Sequence, residues 1–259
     1  MDKLQIRIPR VNKSTLNPLA GVRALLLAGG YGTRLRPITN HTPKCLVEIG
    51  GKPLLTYWLE TLFNTGLERA LVNTHYLPDK VEQFCKASPY ASKIDLIYEP
   101  ELLGTAGTLR ANQPYFGQTT LVAHADNFTL FDPQSFVATH RSRTSKCLAT
   151  MMTFETDAPQ SCGIVELNND GVLIGYHEKV ANPPGNIANA AVFLLEKEAF
   201  TWLDHAPTAT DFCKEIVPLG IGHFQTFFNS VYHRDIGTIA SLNQANQDFL
   251  KLAISPSKS

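Results

Sequence analysis

Leu25-Leu26-Leu27-Ala28-Gly29-Gly30-Tyr31-Gly32-Thr33-Arg34-Leu35 runs from an apolar strand straight into a loop with three glycines in four positions. Glycine there lets backbone N–H groups turn inward and approach phosphate oxygens without side-chain obstruction. Arg34 adds a planar, permanently charged donor, and Lys44 in Pro43-Lys44 a second cation. Such a loop can clamp a triphosphate and neutralise charge at an attacked phosphorus. Two rival phosphate motifs fail. The dinucleotide pattern needs a glycine where Leu35 stands, and Gly50-Gly51-Lys52-Pro53 lacks both the first glycine spacing and the hydroxyl residue of a P-loop.

Outward from this loop, short apolar runs alternate with helical patterns. Strands are expected over 23–28, 69–74, 94–98 and 119–123. A helix should open at Pro53, carry the stripe Leu54, Leu55, Trp58, Leu59, Leu62 and Phe63, and stop at Gly66. Further helices are expected over 80–86, 105–113 and 133–141, the last capped by Asp132 ahead of Pro133. This alternation predicts parallel pairing in a layered α/β sheet. From Cys147 the pattern turns to strands over 147–154, 162–167, 172–178 and 188–195, with a turn at Asn168-Asn169-Asp170-Gly171. This half should be mixed or antiparallel and form the second wall of a cleft, followed by helices over 197–204, 211–217 and 239–252. We expect a leader over 1–21, a catalytic domain over 22–254 and a polar tail over 255–259.

Composition narrows the function. The 259 residues carry 23 basic and 23 acidic side chains, so no global field favours nucleic acid or an anionic membrane. No apolar run approaches the roughly 20 residues of a membrane span. The five cysteines form no CxxC pair, which argues against a zinc knuckle and for reduced thiols in a cytoplasm. Asp126, in His124-Ala125-Asp126-Asn127, ends a strand where a carboxylate suits a hard cation bridging phosphates. His124 reads as its neighbour, not as a ligand. Glu178 can accept hydrogen bonds, Lys179 carries a point charge, and Asn189 can both donate and accept; by themselves Glu178 and Lys179 read as a solvated charge pair at a strand end.

The run from Leu27 to Pro37, with Thr42-Pro43-Lys44, resembles the sugar-1-phosphate nucleotidyltransferase family over about residues 22 to 250. That resemblance implies a Rossmann-like, three-layer fold with a mixed, mostly parallel sheet and a smaller sugar-binding lobe. It implies a Mg2+-dependent reaction of a nucleoside triphosphate with a sugar 1-phosphate. By resemblance, Arg34, Lys44 and Lys179 are catalytic, and Asp126 and Asp235 hold the metal. Ala28, Gly29, Gly30, Gly32 and Thr33 bind the nucleotide, as do Gly104, Thr105 and Gly107 of Gly104-Thr105-Ala106-Gly107. Gly163, Glu178, Lys179 and Asn189 hold the sugar phosphate. The Gly-Thr-Ala-Gly wording is similar to mannose-1-phosphate guanylyltransferases, so GTP is the expected nucleotide. Thymidylyl or uridylyl transfer, or a non-catalytic sensor of nucleotide-sugars, are the alternatives. Two positions depart from the family pattern: Val180 replaces a proline and Ala191 a glycine. The second adds a methyl beside the sugar, which leaves a heptose or modified hexose open. No hexapeptide β-helix repeat occurs, so a homodimer would use the domain surface or residues 1–21.

Overall fold

The computed structural model describes residues 17–254. The first strand, β1 (Arg23–Leu27), is buried on both faces, as its unbroken aliphatic run requires. It pairs in parallel with β4 (Arg69–Thr74) on one side and β6 (Thr119–His124) on the other, and β4 pairs with β5 (Ile94–Tyr98). The chain thus builds outward from β1 to β5, then returns to the other side of β1. That reversal opens a crevice at the carboxyl ends of β1 and β6, where α/β sheets bind ligands.

Between these strands lie the β2–β3 hairpin (Glu48–Ile49 and Lys52–Pro53, turning at Gly50-Gly51) and α1 (Leu54–Phe63), α2 (Pro78–Ala87) and α3 (Gly104–Ala111). Pro53 lies just outside its helix, in the hairpin. The helix α4 (Pro133–Arg141) begins as expected, with Asp132 accepting from the Gln134 N–H at 3.0 Å.

Beyond α4 the sheet continues through β8 (Ala149–Glu155), β9 (Gly163–Leu167), β10 (Leu173–Glu178), β11 (Ile187–Glu196) and β12 (Phe224–Phe228). The long strand β11 joins the two halves, pairing antiparallel with β6, β8 and β9. The result is one nine-stranded mixed sheet. The helical region after β11 is a 3₁₀ turn running into α5 (Thr201–His205), then one π turn at Phe212–Ile216.

Alternation along β1 feeds two cores. Ala24 and Leu26 pack with Leu55, Trp58 and Leu62 of α1 and Phe136 of α4. Leu25 and Leu27 pack with Leu109 of α3, Leu203 of α5 and Phe212. Helix–sheet–helix layering follows. A third cluster was not foreseen. The strands β7 (Asn127–Leu130) and β13 (Tyr232–Asp235) pair antiparallel, and Phe128, Leu130 and Ile236 pack on Leu242, Ala245 and Phe249 of α6 (Ile239–Ile254).

Most of the leader lies outside the described residues, as does the 255–259 tail. Within the part described, Leu19 is buried and its N–H donates to Thr65 O at 3.1 Å. All five cysteines are free thiols. No described helix is long and apolar enough to cross a membrane.

Candidate active site

A cleft of about 270 Å³ opens at the carboxyl ends of β1 and β6 and is lined by Arg34, Lys44, Asp126 and Asp235 on one side. Gly163, Glu178, Lys179 and Asn189 line the other side. The metal and sugar candidates therefore share one cleft. Ala28, Gly29, Gly30, Gly32 and Thr33 form the adjoining loop, while Gly104, Thr105 and Gly107 lie at the entry of α3; none of these lines the cleft.

The loop is held from behind. Asn73, at the end of β4, accepts the Ala28 N–H at 2.7 Å and donates to Glu99 at 3.2 Å. Glu99 is buried and also accepts from Thr108 Oγ1 at 2.6 Å and the Leu103 N–H at 3.2 Å. One buried carboxylate thus ties the glycine-rich loop to α3. Neither Asn73 nor Glu99 was read from the sequence, although each sits at the end of a legible strand.

The register of β7 and β13 sets Asp235 opposite Asn127, which brings Asp235 beside Asp126. Lys44 reaches both, with Nζ 2.8 Å from Asp126 Oδ2 and 3.3 Å from Asp235 Oδ1. Burial opposes the Lys44 charge, but Asp126 and then Asp235 outweigh it and raise its pKa. Burial likewise opposes the Asp126 charge, and Lys44 outweighs it, so that carboxyl stays below its usual range. Among the described residues no group of three or more His, Cys, Asp or Glu could hold a metal. Two converging carboxylates, with other positions left to phosphate oxygens and water, fit a hard ion such as Mg2+.

The histidines nearby add no charge. Burial, then His124 and Arg234, pushes His233 down to about 3, where it packs on the Phe154 ring at 4.2 Å. Burial also lowers His124. Positive charge in the cleft comes instead from Lys44, Lys179 and Arg34, whose guanidinium has no hydrogen-bond or ion-pair partner among the described residues.

On the Glu178 side of the cleft, a Cβ at Gly163 would lie 2.1 Å from Tyr176 Oη and 2.5 Å from Glu178 Oε2, so only glycine lets these groups sit there. Tyr176 donates to Glu178 at 2.5 Å and Lys179 pairs with Glu178 at 3.1 Å. Asn189 has less freedom than its side-chain chemistry allows. Its amide donates to Tyr176 Oη at 3.2 Å and Cys213 Sγ at 3.3 Å, and its oxygen accepts from the Ala191 N–H at 2.8 Å. Ala191 holds a left-handed φ of 54° on the cleft wall.

The entry of α3 is not open backbone. The Ala106 N–H donates to Thr210 O at 2.9 Å, and Thr105 Oγ1 accepts from the Phe212 N–H at 2.7 Å. Gly104 has φ 74°, and a Cβ there would lie 2.4 Å from Thr210 O. Gly104→Ala should therefore cost roughly 2 kcal/mol or more, read as a lower urea midpoint with unchanged slope.

A family profile described as nucleotidyl transferase matches residues 23–251. The chain is 31% identical over 208 residues to the mannose-1-phosphate guanylyltransferase catalytic subunit beta of Drosophila pseudoobscura pseudoobscura, covering 76% of this chain and 54% of that one. It is 28% identical over 218 residues to the mannose-1-phosphate guanyltransferase of Saccharomyces cerevisiae, covering 80% and 58%. The chain thus spans about half the length of the curated relatives it matches. The structure of HddC from Yersinia pseudotuberculosis complexed with GMP-PN superposes with a TM-score of 0.73 at 27% identity, over 88% of this chain and 99% of that one. With the glycine-rich loop at the end of β1 and the sheet topology agreeing, this chain belongs to the nucleotidyl transferase family and is similar to its mannose-1-phosphate guanylyltransferase members.

Proposed function

We propose that the chain transfers a nucleotidyl group from a nucleoside triphosphate, GTP by preference, to the 1-phosphate of a manno-configured hexose or heptose, releasing pyrophosphate. The observation that carries this reading is Lys44 bridging Asp126 and Asp235, in one cleft with Arg34, Glu178 and Lys179. The guanine preference is supported by the names of the relatives and by the GMP-PN in the HddC structure.

The attacking oxygen of a sugar phosphate is already ionised at neutral pH, so the reaction needs no general base. Its obstacle is repulsion between two anions. Arg34 offers an unpaired guanidinium to the triphosphate, and Lys179, its side chain 63% exposed, can swing onto the sugar phosphate. Held in line, the reactants pay less entropy at the transition state. Mg2+ on Asp126 and Asp235 would supply neutralisation of charge at the attacked phosphate and on the leaving pyrophosphate. Lys44 would then turn its ammonium to a phosphate oxygen.

The test is pyrophosphate release with Mg2+, with each nucleoside triphosphate scanned against hexose and heptose 1-phosphates. Release confined to GTP and a manno sugar supports the full reading. Preference for dTTP or UTP would keep the chemistry and change the base. A chain that binds nucleotide-sugar but releases no pyrophosphate with any pair is a sensor, and the proposal fails.

A further inference from the structure

The segment from 209 to 216 touches both halves of the site. On one flank it is bonded to α3, through Ala106 N–H to Thr210 O at 2.9 Å and Phe212 N–H to Thr105 Oγ1 at 2.7 Å. Arg110 adds bonds to Ala206 O at 2.7 Å and Ala209 O at 3.1 Å. On the other flank, Cys213 accepts from Asn189, and both Asp211 and Cys213 line the sugar half of the cleft. Between them Phe212 is buried against Phe193, ring centroids 5.1 Å apart. Glu215 fixes the backbone by accepting the Thr210 and Asp211 N–H groups, each at 2.8 Å. The rare π turn at Phe212–Ile216 starts here, as such turns often do at functional sites.

The hydrogen bonds around the sugar half leave few groups able to read a hydroxyl. Both amide hydrogens of Asn189 are spent on Tyr176 and Cys213. The Glu178 oxygens face Tyr176 and Lys179. Asp211 differs: one oxygen caps the π turn, accepting the Lys214 N–H at 3.0 Å, and the other has no protein donor among the described residues. Burial opposes the Lys179 charge, yet Glu178 and then Asp211 more than offset this and raise its pKa, so the Asp211 carboxylate is felt across the subsite.

We infer that Asp211 is a further specificity-determining residue of the sugar subsite, and that Thr105 is a positioning residue that holds it there through the Phe212 N–H. This rests on the nucleotidyl-transfer reading above. The free Asp211 oxygen accepts a hydrogen bond from a hydroxyl of a neutral, polyhydroxylated sugar phosphate. A sugar with its own carboxylate at that point is repelled. Thr105 thereby acts on the sugar side although it stands in the helix entry that the sequence ascribes to the nucleotide.

The experiment is steady-state kinetics of the full chain with GTP and mannose 1-phosphate, or whichever pair the wild type accepts. Asp211→Asn keeps the capping oxygen and removes the charge. It should raise KM for the sugar 1-phosphate about tenfold and leave KM for the triphosphate within about twofold. Thr105→Val should move the same constant in the same direction, with Thr105→Ser restoring it. An active wild type whose Asp211→Asn variant keeps its sugar KM overturns the assignment of Asp211. A Thr105→Val variant that raises the triphosphate KM instead overturns the positioning role. A wild type inactive with every pair overturns the function reading and this inference together.

Discussion

Asp126→Asn is expected to lower turnover by about 10³-fold while the chain still folds. The amide keeps the volume of the carboxylate and an acceptor for Lys44, which also retains Asp235 at 3.3 Å. Local packing is set elsewhere, by the Ala125 N–H bonded to Leu27 O at 3.0 Å and by the β7–β13 pair. What disappears is one of two charges available to a hard cation, at the point where the phosphates must converge. Turnover at saturating substrates, with circular dichroism and a melting curve on the same sample, separates the two effects. Near-normal turnover would remove Asp126 from the metal site. A collapsed melting curve would make it structural.

Lys44→Met should have the second largest effect, on both turnover and the pH profile of stability. In the wild type the Asp126 carboxyl lies below its usual range, because Lys44 outweighs the burial that opposes its charge. Its stabilisation is therefore complete above the unfolded carboxyl value of about 3.9 and is lost as pH falls through the lower folded value. Without Lys44 the two aspartates face each other in a partly buried site. Burial and like charge then both raise a carboxyl pKa. The sign of the linkage reverses: the variant should gain stability relative to the wild type on acidification from neutral pH toward about pH 5. Mg2+ should raise the variant's melting temperature more than the wild type's, because in the wild type the ammonium already satisfies both carboxylates. Turnover should fall about 10²-fold or more with loss of a cation from the reacting phosphates. Parallel pH profiles for the two proteins would show that Lys44 does not control these carboxylates.

The sequence by itself determined the features that depend on neighbours in the chain. Leu25 to Gly32 specified a buried strand and a glycine-rich loop, because aliphatic continuity and glycine act locally. The strands β4 and β5 fell on their expected residues, and Asp132-Pro133 started α4 where capping chemistry demanded. Family motifs located Asp126, Asp235, Glu178 and Lys179, and the fold gathers them around one cleft. Only the tertiary structure decided how those groups are paired. The pairing of β7 with β13 joins residues about a hundred positions apart, and four-residue strands such as Asn127–Leu130 carry too little pattern to announce a distant partner. Whether an amide or hydroxyl is free is likewise invisible in sequence. Asn189 is a versatile side chain whose donors are already spent, Thr105 a hydroxyl committed to Phe212, and Asp211 an ordinary turn residue left with an open oxygen. Hydrogen-bond capacity belongs to the residue type, but its allocation depends on which groups the fold brings within about 3 Å of one another.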